Sequence, residues 1–143
     1  MIHGIDTSFI VAAELASHSR HGDTRKLLQS LNQGGDQFAI APLVLAEFVH
    51  VVTDQRRCTN PLTMDTALDR ADLLWNAAET VQVFPTANAI SQFFDWMRKH
   101  RLGRKRLLDT QLAATFHAAG ITSILTLNRS DFASFGCFTI HGS

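Results

Sequence analysis

Residues Leu107 to Phe132 read LLDTQLAATFHAAGITSILTLNRSDF, a helix, a stop, a buried strand and an acidic exit in succession. Leu108, Leu112 and Phe116 recur at four-residue spacing among Ala113, Ala114, Ala118 and Ala119, which predicts a helix with one broad apolar face and small neighbours. Gly120 suits the left-handed position that closes a helix. Ser123-Ile124-Leu125-Thr126-Leu127 then predicts a short, mostly apolar strand. Asp109 starts the helix, and Asn128 and Asp131 follow the strand. A helix start and a parallel strand end lie at the same edge of an α/β sheet, so these groups are placed to converge. Each acid also has a plain explanation. Free N–H groups and the helix dipole favour Asp in a first turn, and Asp131 suits an ordinary turn. A site needs more carboxylates aimed at that edge.

Working outward, Met1 to Ile5 predicts a short strand running into Asp6. Thr7 or Ser8 caps a helix bearing Ile10, Val11, Ala13 and Leu15. Ser17 to Gly22 is a polar loop, with His18 and His21 in solvent. Asp23 caps a second helix carrying Leu27, Leu28 and Leu31, and Gly34-Gly35 ends it. Gln37 to Ala41 is the second strand, and Pro42 takes a first helical position. The helix to Val52 is apolar almost all round, which predicts burial on most faces. Glu47 lies inside this run, where a carboxylate needs compensation. Arg56 or Arg57 would supply it as a salt bridge; a metal ion would supply it as a ligand. His50, three residues on, reads as a core-edge histidine.

Thr63 begins a helix with Ala67, Leu68, Ala71, Leu74 and Trp75 as its stripe. Thr80 to Phe84 is the third strand. Pro85-Thr86 opens a helix bearing Ile90, Phe93, Phe94 and Met97, with Trp96 off that stripe and therefore exposed or at an interface. Phe132 to Phe135 packs the exit of the fourth strand, and Cys137 to Ile140 forms a last short one.

The 143 residues suit one domain, 1–143, and an apolar fraction of 45% excludes a disordered chain. Thirteen basic residues balance thirteen acidic ones, so net charge gives no nucleic-acid footprint. The basic charge is instead concentrated in Arg98 to Arg106, RKHRLGRKR. That segment is either a solvated helix end or an edge that holds phosphates. No run reaches the roughly 18 apolar residues of a membrane span, and no leader precedes Asp6. Cys58 and Cys137 lie far apart without zinc spacing and read as free thiols in a reducing cytosol. The expected location is cytoplasmic.

Strands alternate with helices, and the acids Asp6, Glu47, Asp109 and Asp131 all fall near strand ends or helix starts. Ligands of open α/β sheets bind at the carboxyl edge. Gathered there, the four acids would raise one another's pKa until a cation joined them. Hard oxygen donors suit Mg²⁺ or Mn²⁺ rather than zinc. Such an ion activates water and stabilises charge on a phosphodiester. Asn128 would ligate through its carbonyl or fix a water, with Thr7, Ser8 and Thr126 as supporting hydroxyls.

This ordered set resembles the PIN-domain ribonucleases, and within them the VapC-type toxins of bacterial toxin–antitoxin pairs. The resemblance rests on Ile5-Asp6-Thr7-Ser8, on Ala46-Glu47-Phe48 after Pro42, and on Leu108-Asp109 with Leu112-Ala113-Ala114. It is completed by Thr126-Leu127-Asn128 with Asp131-Phe132. It implies a three-layer α/β/α domain with a mostly parallel central sheet and a Mg²⁺- or Mn²⁺-dependent endoribonuclease activity. It also implies a homodimer and a cognate antitoxin that covers the acidic pocket. Asp6, Glu47 and Asp109 take the principal acidic positions. The fourth, where many relatives carry an acid, falls to Asn128 or Asp131. Arg104, Lys105 and Arg106 would contact RNA. A haloacid-type phosphatase needs a second Asp where Ser8 stands, and a receiver domain needs an Asp where Val83-Phe84-Pro85 offers none. A non-catalytic PIN-like module that binds RNA or protein remains the alternative.

Overall fold

In the computed structural model, which describes residues 1–142, five short strands form one sheet. They are β1 (Ile2–Ile5), β2 (Gln37–Ile40), β3 (Thr80–Gln82), β4 (Ser123–Leu125) and β5 (Thr139–His141). Their order is β3-β2-β1-β4-β5, and every pairing is parallel. Helices cover the sheet in a three-layer α/β/α arrangement. They are α1 (Thr7–Glu14), α2 (His21–Gln33), α3 (Pro42–Val52), α4 (Met64–Trp75), α5 (Ala87–Lys99), α6 (Leu107–Ala118) and α7 (Arg129–Ala133). Helix α1 packs on α2 and α3, α3 on α4, and α5 on α6. Among the described residues no helix is long and apolar enough to cross a membrane.

The inner strands β1, β2 and β4 bury both faces, as parallel strands under two helical layers must, while the edge strands β3 and β5 stay partly open. Ile124 and Leu125 are fully buried, as are Phe9, Phe48, Phe116 and Phe132 from the helices. Gly4 makes one of these contacts possible: a Cβ there would stand 2.6 Å from the Phe116 ring. The missing side chain lets α6 lie close against β1. That approach matters, because Asp109 sits two turns before Phe116 on the same helix. Gly120 closes α6 with φ of 76°, the left-handed conformation expected of it. Thr63 and Thr86 cap α4 and α5, accepting from the N–H groups of Thr66 and Ala89 at 3.2 Å.

Several sequence expectations shift. Helix α3 is not buried on most faces. Only Val44, Phe48 and Val52 are, because an outer-layer helix meets the layer beneath along one i, i+4 row. Leu68 and Leu108 are about half exposed for the same reason. Trp96 is buried rather than exposed, while Phe94 is 50% exposed. Trp96 stacks on Phe135 with centroids 4.5 Å apart, so the interior row of α5 is Ala89, Phe93 and Trp96. Asp23 is not a cap, since α2 starts at His21 and leaves Asp23 in its first turn. Thr7 is the first residue of α1 and Asp6 holds the N-cap position, its side chain engaged elsewhere. The exit after β4, where Asp131 suited an ordinary turn, is a short helix, α7.

Candidate active site

The topology selects one place for chemistry. The chain crosses from β1 to β2 on one side and later reaches β4 on the other, so β1 and β4 flank a point where the winding reverses. A crevice opens at such a point, outside the carboxyl ends of the strands. Asp6 follows β1 directly, and its N–H extends the ladder to the Leu125 carbonyl at 3.0 Å. Thr126 and Asn128 leave β4 beside it. A cavity of about 330 Å³ lies here, lined by Asp6, Glu47, Asp109 and Asn128, with Thr7, Ser8, Val11, His18, Val51 and Leu127. Three acids distant in sequence therefore face one hollow.

Hydroxyls hold the acids in place. The Asp6 Oδ2 accepts from Ser8 Oγ and from Thr126 Oγ1, each at 2.8 Å. Thr126 Oγ1 in turn accepts from the Asn128 N–H at 3.0 Å, and Ser8 Oγ from the Leu127 N–H at 3.1 Å. Asp6 is thereby tied to the segment that carries Asn128. Thr7 Oγ1 donates to Glu47 Oε1 at 3.3 Å. Among the described residues neither Arg56 nor Arg57 forms a salt bridge with Glu47; Arg57 pairs with Asp54 at 3.4 Å instead. His50 is exposed, and its charge only eases the strain on Glu47.

The electrostatics follow from this crowding. Burial pushes the Asp6 carboxyl above the usual range; the hydroxyls of Thr126 and Ser8 oppose it, and the charge of Asp131 adds to it. Burial likewise raises Glu47, with Asp6 contributing and the Thr7 hydroxyl opposing. Asp109 is pushed up to about 7, first by burial and then by the charges of Asp6, Asp131 and Glu47, against a lowering by Arg106.

The remaining expected residues divide. Asp131 does not line the cavity. Its backbone carbonyl accepts from Arg106 Nη2, and its carboxylate Oδ1 lies 3.9 Å from Arg106 Nε. Arg106 is thus turned inward to Asp131, whereas Arg104 and Lys105, in the 3₁₀ turn before α6, are exposed. His18 reverses its sequence reading: it lines the cavity, with Nδ1 accepting from the Arg20 N–H at 3.0 Å. The only sequence signal for it is that a helix of just eight residues, starting beside Asp6, returns the chain close to the strand edge.

Among the described residues, no three His, Cys, Asp or Glu side chains form a ready-made metal-ligating group. The acids surround the cavity rather than meet at a point. Their chemistry nonetheless suits a hard divalent cation, because every lining carboxylate and the Asn128 amide offer oxygen. Mutual repulsion of the carboxylates is the state such an ion relieves.

Comparison with known proteins agrees with the geometry. The family model described as PIN domain matches residues 5–136. Ribonuclease VapC43 of Mycobacterium tuberculosis is 31% identical over 81 residues, which are 57% of this chain and 55% of that relative. The chain thus spans about half the length of such relatives. The crystal structure of Mycobacterium tuberculosis VapC20, described as a sarcin-ricin loop cleaving toxin, superposes with a TM-score of 0.74 at 23% identity, covering 96% of each chain. The structure of VapBC2 from Rickettsia felis bound to a DNA fragment of its promoter gives 0.67 at 18% identity, covering 99% of this chain and 98% of that one. Both likenesses are likenesses of fold.

Proposed function

The chain belongs to the PIN-domain family, and on that premise we propose that it is a divalent-metal-dependent endoribonuclease, the toxin of a toxin–antitoxin pair. One observation carries this reading: three carboxylates from three separate stretches of the chain line one cavity at the winding reversal of the sheet.

Asp6, Glu47 and Asp109 would hold Mg²⁺ or Mn²⁺, with Asn128 offering its side-chain carbonyl. A bound divalent ion would lower the pKa of water and offset charge on the scissile phosphodiester. The chain's own residues do the positioning. Ser8 and Thr126 fix the Asp6 carboxylate through one oxygen, and Thr7 steadies Glu47. One of the three carboxylates orients the attacking water. Exposed Arg104 and Lys105 receive the RNA backbone, while Arg106 and Asp131 support the rim. The substrate is RNA, cleaved within the chain.

A neighbour in fold supports the proposed partner. The Rickettsia felis neighbour is a VapBC assembly, and a cognate antitoxin is the counterpart proposed here, closing over the acidic cavity. The working form is a homodimer in the cytoplasm. The decisive experiment incubates the protein with total RNA and Mg²⁺. Cleavage is expected, with loss on chelation and in Asp6→Asn and Asp109→Asn proteins that remain folded. Full cleavage by either variant, or in excess chelator, overturns the assignment.

A further inference from the structure

We infer that the cavity extends beyond its acids into a nucleobase subsite, where His18 donates a hydrogen bond to a keto oxygen of the RNA residue beside the cleaved bond. The inference rests on the ribonuclease reading above and deepens it.

The lining has two unlike ends. Thr7 and Glu47 stand at the acidic end, joined through the Thr7 hydroxyl at 3.3 Å. Val11 and Val51 lie four residues further along α1 and α3. A step from i to i+4 keeps the same helix face and moves about 6 Å along the axis. Both walls therefore turn from polar to apolar one turn away from the acids. His18 closes the apolar end. The Leu15 N–H donates to the Val11 carbonyl and the His18 N–H to the Leu15 carbonyl, each at 3.0 Å, so His18 is held just past Val11.

The loop also fixes what His18 offers. Its carbonyl accepts from the His21 N–H at 3.1 Å, and its Nδ1 accepts from the Arg20 N–H at 3.0 Å. A ring nitrogen that accepts carries no proton, so the neutral ring bears its proton on Nε2. With Nδ1 turned to the loop, the Nε2 edge is left for the cavity, without a protein acceptor among the described residues. The hydroxyls of Thr7 and Ser8 are already given to Glu47 and Asp6.

The ligand class follows from walls and donor together. Valine walls disfavour a phosphate, whose charge they would desolvate without compensation. They suit the flat, neutral face of a base, with one polar group to orient it. Nε2–H can only donate, so the base must present an acceptor. Guanine and uracil carry a keto oxygen where adenine and cytosine carry an amino group.

The test first maps the cut ends of total RNA by sequencing, with the Mg²⁺-loaded full chain. The preferred site is then made as short single-stranded RNAs that differ in one flanking base, uracil against cytosine or guanine against adenine. The wild type should cleave the keto-base member about tenfold better in kcat/KM, the scale of one hydrogen bond at a partly open site. His18→Ala should lose that advantage and fall to the amino-base rate. His18→Gln, whose amide offers either an N–H or a carbonyl, should keep the rate and accept both bases. Circular dichroism checks the folding of each variant, and ring ¹⁵N spectra of the free protein should show His18 with its proton on Nε2. Equal cleavage of the paired RNAs by the wild type overturns the subsite while leaving the nuclease reading intact. So does an undiminished preference in folded His18→Ala, a His18→Gln protein as slow as His18→Ala on every RNA, or a His18 proton on Nδ1. A wild type that cuts no RNA at all removes the nuclease reading itself, and the subsite with it.

Discussion

The two ends of β1 carry two buried polar networks built to opposite rules. At the start of the strand, His3 is 2% exposed. Its Nδ1 meets Ser123 Oγ at 2.6 Å and its Nε2 meets Asp36 Oδ2 at 2.8 Å. The amino terminus of Met1 also reaches Asp36, at 3.1 Å. At the end of the strand, Asp6 is 4% exposed and bonded to Ser8 and Thr126. Both networks cross from β1 to β4 through a hydroxyl. They differ in what faces the carboxylate. The His3 hydrogen bond and the amino terminus hold Asp36 below the usual range, whereas burial drives Asp6 above it and further acids crowd the same cavity. A closed network of this kind serves the fold. An open, one-signed network costs stability and is the mark of a site completed from outside.

The sharpest way to break this comparison is to exchange the losses. Asp6→Asn removes an ion-holding oxygen and should lower RNA cleavage by about a thousandfold or more, the scale of several kcal/mol of transition-state charge stabilisation. Its melting temperature should stay level or rise, since a crowded charge has gone. His3→Ala should do the reverse. It leaves the Ser123 hydroxyl unpaired in the core and empties a buried ring site, at about 2–4 kcal/mol of stability, with the rate per folded molecule unchanged. Denaturant titrations beside cleavage assays measure both. A His3→Ala protein that folds normally but cannot cleave would dissolve the distinction.

The basic segment gives a third, smaller contrast, within three consecutive residues. Arg104 and Lys105 are exposed and Arg106 faces Asp131. Replacing Arg104 and Lys105 together with Ala should weaken single-stranded RNA binding about tenfold. It should also reduce the salt slope by roughly 1.4, two phosphate contacts' worth. Stability should not change. An unaltered slope would return both residues to the status of solvated helix-end charge.

Much of this was legible in the sequence for identifiable reasons. Strong local signals survived folding: Pro42 at the head of α3, Thr63 as a cap, Gly120 in the left-handed region, apolar strands under two layers. The expectation that Asp6, Glu47, Asp109 and Asp131 could meet at one edge followed from their places near strand ends and helix starts; the cavity lining includes the first three and leaves Asp131 out. Tertiary choices were not legible. Trp96 sat off the apparent stripe because its partner Phe135 lies far along the chain. The pairing of Arg106 with Asp131 and the approach of His18 depend on how α6, α7 and the α1 exit meet, which no spacing encodes. The His3 network was missed because an imidazole on a strand gives no periodic signal.

The smallest effect separates the two ends by the sign of their pH dependence. Asp109 has a folded value of about 7 against an ordinary 3.8. Between those values the folded chain holds a proton that the unfolded chain has released, so stability falls as pH rises through that window. Asp6 and Glu47 are raised and act in the same direction. Asp36 is lowered, so its contribution is complete above its unfolded value and is lost as pH falls through its folded one. In chelator, the melting temperature should therefore decline by about 3 °C from pH 5 to pH 8, a figure discounted for the partial exposure of Asp109. Asp109→Asn should flatten most of that decline. Asp36→Asn should leave the decline alone and instead weaken the loss seen below pH 4. The difference between wild type and Asp109→Asn, rather than either curve alone, carries the result. A decline that persists undiminished in Asp109→Asn would mean that the carboxylates at the end of β1 are not the source, and the two networks would then differ in composition but not in electrostatic strain.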